Sequence, residues 1–142
     1  MRKFSKCVCL ILVFALCMAI PVAAEETAPY ASSYFTSHNT YLWNKTSTSF
    51  EVWFSITAVA TMDELGVDYI DIEKSTDGVN WSVVKTYTKE DYPNLIGYNT
   101  AYHSGHVTYS NVQAGCQYRA YVKFYAKNSS GGRGYNGAYA YF

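Results

Sequence analysis

Apolar and polar residues alternate with a period of two along several stretches of this chain, and no stretch of ten residues shows helical periodicity. The clearest case is 50–60, where Phe50, Val52, Phe54, Ile56 and Ala58 alternate with Glu51, Trp53, Ser55 and Thr57. Successive strand side chains point to opposite faces, so the first set is expected in a core. Residues 67–74 repeat the pattern, with Ile70 and Ile72 against Tyr69, Asp71 and Glu73. Ser75 to Asn80 reads as a turn in which Asp77 and Gly78 tolerate the required backbone angles, and 81–88 returns as a partner strand. Residues 88–99 carry Lys89, Glu90, Asp91, Pro93, Asn94 and Gly97 and predict a surface loop. A weakly alternating strand is expected at 102–109 and a sharply alternating one at 118–127. In the latter, Tyr118, Ala120, Val122, Phe124 and Ala126 face one way; Arg119, Tyr121, Lys123, Tyr125 and Lys127 face the other. A hairpin loop at 128–134 leads to a closing strand at 135–142, and an opening strand is expected near 30–38. About seven strands result, the count of an all-β sandwich.

The N-terminus adds a destination. Arg2, Lys3 and Lys6 precede an apolar run from Cys7 to Ile20, then Pro21 and the small residues Val22, Ala23 and Ala24. This is the layout of a cleaved export signal, expected at 1–24. The run is too short for a membrane span of roughly 20 apolar residues, and no second one follows. Leu16 before Cys17 does not suit a lipoprotein signal. Cleavage would leave residues 25–142 as a single secreted β-sandwich domain.

Composition changes once the signal is removed. The whole chain is neutral, with 11 basic and 11 acidic residues, but three of the basic ones lie in the signal. Eight against eleven gives a mature net charge of −3, so nucleic acid is not expected as a partner. Cys7, Cys9 and Cys17 also lie in the signal, and the remaining Cys116 has no internal partner for a disulfide. A secreted domain without one relies on its apolar core, which suits a bacterial product; Cys116 itself reads as a small buried hydrophobe.

Two stretches resemble fibronectin type III and immunoglobulin-like domains. Val112-Gln113-Ala114-Gly115-Cys116-Gln117-Tyr118, continuing through Arg119-Ala120-Tyr121-Val122, is similar to the corner between that family's E and F strands. There a tyrosine bonds its hydroxyl to the corner backbone; the resemblance gives that role to Tyr118. Ser49 to Phe54 resembles the B strand, with Phe54 where the family keeps an inward tryptophan, and Asn128-Ser129-Ser130-Gly131 resembles the F–G loop. The likeness covers about two-thirds of the mature chain and implies a sandwich. The overall layout also resembles small secreted proteins of Gram-positive bacteria grouped as a domain of unknown function, which implies a location and no activity. Ser75 to Trp81 resembles the Asp-box of sialidase propellers, one residue short and present once. A propeller needs several blades, so Asp77 and Gly78 are expected to shape a hairpin over which Trp81 packs.

Candidate chemistry is sparse. His103 and His106 form H-x-x-H, but residues three apart on a strand face opposite ways and zinc wants further ligands. No Gly-x-Ser-x-Gly elbow is present. Asp71 and Glu73 share a strand face and could resemble a glycosidase pair, but on the outer side they read as solvated carboxylates. Asp63, Glu64 and Asp68 lack the dense oxygen-rich loop of a calcium site. No catalytic residues, metal or cofactor are therefore expected, and an enzyme is the weakest reading. An outer-membrane barrel is set aside because Ala138 and Ala140 stand where Phe142 would need lipid-facing neighbours.

The outward aromatics remain. Tyr121, Lys123 and Tyr125 form a predicted ridge of aromatic, cation and aromatic about 13 Å long at roughly 3.3 Å per residue. Tyr69 is expected beside it, and Tyr139 and Tyr141 alternate on the last strand. Such a face suits an unidentified extracellular protein or a glycan, because rings bury apolar area at low entropic cost. The competing reading is that tyrosines pair across strands and only stabilise the sheet.

Overall fold

The computed structural model describes residues 33–142, so the expected signal at 1–24 and the start of the first expected strand lie outside the described residues. Six antiparallel strands form one sheet that curls into a sandwich-like all-β fold: β1 (Phe35–Trp43), β2 (Phe50–Ser75), β3 (Ser82–Thr88), β4 (Ile96–Tyr109), β5 (Gln117–Lys127) and β6 (Arg133–Tyr141).

The organising element is β2, 26 residues long. Its first half runs between β1 and β4, with Trp53 opposite both Tyr41 and His106. Its second half runs between β5 and β3, with Asp71 opposite both Tyr121 and Thr86. Around Glu64 and Leu65 it is flanked by β4 and β5 together. Register shifts between Thr57 and Met62 on the β4 side, and between Val67 and Tyr69 on the β5 side, mark where the strand bends. Bulges add twist and curvature without ending a strand. Alternation fails at 59–61, where Val59, Ala60 and Thr61 are all exposed. The two strands expected at 50–60 and 67–74 are thus one, and six strands stand where about seven were counted.

The bend brings the two halves face to face, and their inner residues make one core. Phe50, Val52, Phe54, Ile56, Ile70, Ile72, Ala120, Val122 and Phe124 are all within 1 % of full burial. Each large apolar side chain so placed stabilises by about 1.5–3 kcal/mol. His38 on β1 reaches across to Phe124, with ring centroids 4.8 Å apart, and burial lowers its pKa.

The expected surface loop at 88–99 is a correction. It holds a 3-10 turn at Pro93–Leu95 and the start of β4. Leu95 is fully buried and Ile96 nearly so. Two adjacent apolar residues among polar neighbours plug the core where β2 bends. Gly66 permits it: a Cβ there would lie 2.0 Å from the Leu95 carbonyl oxygen.

Candidate functional site

The corner before β5 is closed by Tyr118. Its ring is 4 % exposed and sits 5.6 Å from Phe50 and 5.7 Å from Tyr109, and its hydroxyl accepts a hydrogen bond from the Gln113 backbone N–H at 2.9 Å. At the other hairpin, Asp77 Oδ1 accepts from the backbone N–H groups of Val79 and Asn80 at 2.9 and 2.8 Å, while its Oδ2 accepts from the Asn80 side-chain amide at 2.7 Å. These bonds hold the Asp77 carboxyl well below the usual carboxylate range, the Asn80 amide contributing most. Gly78 takes a φ of 75°, which the turn requires of a residue without a Cβ. Asp77 and Gly78 are therefore structural, and Trp81 packs against the Arg119 guanidinium, 4.4 Å from its ring centre.

Between these two fixed ends lies the outer face of the layer formed by β2, β5 and β6. Register places Asp71, Tyr121 and Tyr139 in one row and Glu73, Arg119 and Tyr141 in the next. Rings are close from strand to strand, Tyr69 to Tyr121 at 6.0 Å and Tyr121 to Tyr139 at 5.0 Å, and along β6, Tyr139 to Tyr141 at 5.9 Å. Arg119 inserts between Trp81 and Tyr139 at 4.4 and 4.5 Å, and is held there by Glu73. Lys123 lies over Tyr69 and Tyr135 and reaches Asp68 at 3.6 Å. Tyr121 lies across Gly137, where an added Cβ would meet its hydroxyl oxygen at 2.2 Å. A glycine beside an aromatic on the neighbouring strand lets the ring cover bare backbone.

Tyr125 departs from the expected ridge. It shares an outward strand position with Tyr121 and Lys123, yet it is 2 % exposed. Tyr135 packs on one side at 5.4 Å, and the Lys89 ammonium sits 3.7 Å over its ring, anchored by Asp68 at 2.9 Å. Burial, with the Glu64 carboxylate beside it, pushes the Tyr125 phenol up to about 12. Tyr121, Lys123 and Tyr69 do come together, but half-buried and bonded to one another. The open rings are Tyr139 at 43 % and Tyr141 at 58 %, one strand further on.

Four of the five candidate carboxylates, Asp71, Glu73, Glu64 and Asp68, are engaged. Thr86 donates to Asp71, Arg119 to Glu73, and Lys127 to Glu64 at 3.0 Å, while Asp68 bridges Lys89 and Lys123. His103 turns inward, its ring 5.7 Å from Phe54 and its Nε2 2.9 Å from the Asn94 carbonyl oxygen. His106 turns outward and stacks on Trp53 at 4.4 Å. Among the described residues no three His, Cys, Asp or Glu side chains converge as metal ligands, and no helix is long and apolar enough to cross a membrane.

A second aromatic row, not singled out from the sequence, crosses the other layer: His106, Trp53 and Tyr41 lie opposite one another, with Trp43 edge-on to Tyr41. Trp53 also donates its indole N–H to Glu51 at 2.7 Å, a bond that lowers the Glu51 pKa. Outward alternation at Trp53 was the available signal; its partners on β1 and β4 required the register. One face of Trp53 is covered by His106, while Tyr41 and Trp43 on β1 stay exposed. The chain matches no family model and no curated protein is similar to it in sequence, so the site is read from its own chemistry.

Proposed function

We propose that the chain is a secreted, non-catalytic β-sandwich module that binds an extracellular partner through the outer face of β2, β5 and β6. The observation that supports this most is the pair Tyr139 and Tyr141. They stand open to solvent at one side of a face whose remaining rings and charges are locked together. A rigid base and open aromatic edge suit stacking on a ligand ring, each worth on the order of 1 kcal/mol. The export signal supports secretion, with the mature chain starting at Glu25; N-terminal sequencing of secreted material checks that start. The fibronectin type III-like reading draws support from the Tyr118 hydroxyl bond.

The experiment is the double substitution Tyr139→Ser and Tyr141→Ser, assayed for melting temperature and for binding to intact cells and a glycan array. The fold is expected to survive and binding to fall by about fivefold per ring lost. Unchanged binding by a folded variant would refute this face.

A further inference from the structure

The layer of β1, β2 and β4 carries a block of four outward side chains. Tyr41 and Trp43 are two apart on β1 and so share a face; across the ladder Tyr41 meets Trp53, and Trp43 meets Glu51. The Tyr41 ring is parallel to Trp53 within 4°, and Trp43 stands at 89° to Tyr41 with centroids 6.4 Å apart. Both β1 rings are exposed, so two open aromatics meet at a right angle beside a carboxylate. Glu51 Oε2 accepts from the Trp53 indole N–H at 2.7 Å and from the Asn44 side-chain amide at 3.1 Å. Those bonds lower its pKa and keep it ionised. Its Oε1 takes no hydrogen bond among the described residues, and no lysine or arginine there pairs with it. Glu64, Asp68 and Glu73 contrast with it, each being met by a lysine or arginine. Lys45, the nearest cation in sequence, turns instead to the Phe142 ring. The other titratable group felt by Glu51 is His106, whose imidazole is stacked 4.4 Å from the Trp53 ring on the β4 side.

Open rings beside an unpaired carboxylate attract a cation, through the ring quadrupole and through the charge. A primary ammonium brings three N–H donors and a tight hydration shell, and would find one free acceptor oxygen here. A quaternary ammonium has no donor to satisfy and presents methyl groups to the rings. Two rings with centroids 6.4 Å apart can both lie within roughly 6 Å of one such group. We infer that the corner of Tyr41, Trp43 and Glu51 is a binding site for a small quaternary-ammonium solute of the choline type. It lies on the layer opposite Tyr139 and Tyr141 and does not depend on the face proposed above.

The test titrates the full secreted chain with choline and with its neutral carbon analogue, in which a tert-butyl group replaces the trimethylammonium. Tryptophan fluorescence and calorimetry follow binding at about pH 8.5, where histidines are neutral. Choline is expected to saturate the site and to bind about fivefold to thirtyfold tighter than the analogue. Glu51→Gln keeps an acceptor for the Trp53 indole and removes only the charge, so choline should lose most of that advantage while the analogue binds as before. Trp43→Leu should weaken choline by about fivefold. Val83→Ser, on β3 in the other layer, should change neither ligand. Melting temperatures confirm that each variant compared is folded. Equal affinity for choline and the analogue, no saturable binding of choline, or equal effects of Glu51→Gln and Val83→Ser would each overturn the site. Association with phosphatidylcholine vesicles without binding of free choline would overturn it as well, in favour of a membrane surface.

Discussion

Tyr118→Phe isolates one hydrogen bond from the packing around it. The ring stays between Phe50 and Tyr109; what is lost is the acceptor for the Gln113 N–H, bonded at 2.9 Å. A typical internal hydrogen bond contributes about 1 kcal/mol net, and leaving a buried partner stranded costs about 1–3 kcal/mol. Gln113 is exposed, so water reaches its N–H once the hydroxyl is gone. The cost therefore falls near the low end, about 1 kcal/mol. For a domain of this size that is a drop of roughly 4 °C in melting temperature. Tyr118→Ala removes a ring that is 4 % exposed as well, and should cost about 3–5 kcal/mol. Thermal unfolding followed by circular dichroism or calorimetry separates the two. A melting temperature for Tyr118→Phe within about 1 °C of the parent would show that the corner does not depend on this bond. A loss as large as that of Tyr118→Ala would mean that the hydroxyl positions the ring, against the packing argument.

Four further outcomes follow from the geometry. Tyr125→Ser should cost about 3–5 kcal/mol, because it empties a site closed by Tyr135 and Lys89; a melting temperature like that of Tyr139→Ser would contradict its burial. Gly66→Ala drives a Cβ to 2.0 Å from the Leu95 carbonyl oxygen and should abolish folding or lower the melting temperature by more than 10 °C, at roughly 4 °C per kcal/mol; a well-folded variant would refute the close approach. Cys116→Ser should leave secretion and melting unchanged, as a half-buried thiol without a disulfide has little to lose. Burial, aided by neighbouring phenols at Tyr87 and by Glu64 at Tyr125, raises both pKa values from 10 to about 12. The folded state therefore holds those protons where the unfolded chain releases them, so their contribution is complete below pH 10 and lost as pH rises through 12. Phenolate absorbance recorded with unfolding midpoints checks this, and complete ionisation near pH 10 without unfolding would refute it.

How much of this was legible along the chain depended on whether a property was local to one strand. Phe50 to Ala58 and Tyr118 to Ala126 alternate cleanly, and every inward member is buried. The continuity of β2 was not legible, because the strand runs on through a register shift between Thr57 and Met62 while the side-chain pattern lapses at 59–61. Leu95 and Ile96 read as loop because their surroundings are polar; only the bend of β2 creates the space they fill. Turn chemistry at Asp77 and Gly78 was readable because its bonds span three residues.

Tyr125 shows why the face itself was the hardest part to read. Period two assigns a side chain to a face, but exposure on that face depends on neighbours in other strands. At Tyr121 the neighbour is Gly137, which gives the ring a floor; at Tyr125 it is Tyr135, joined by Lys89 from the segment after β3, which gives the ring a roof. Two tyrosines four apart with the same parity thus end as a half-open and a closed site. The same logic runs outward along the row. Tyr139 and Tyr141 lie on β6, whose far side has no partner strand in the sheet; Arg119 covers one face of Tyr139, yet both rings stay exposed. An aromatic-rich sheet face therefore divides into paving and contact surface by strand position: rings inside the sheet stabilise it, and rings on the edge strand are the ones left for a ligand.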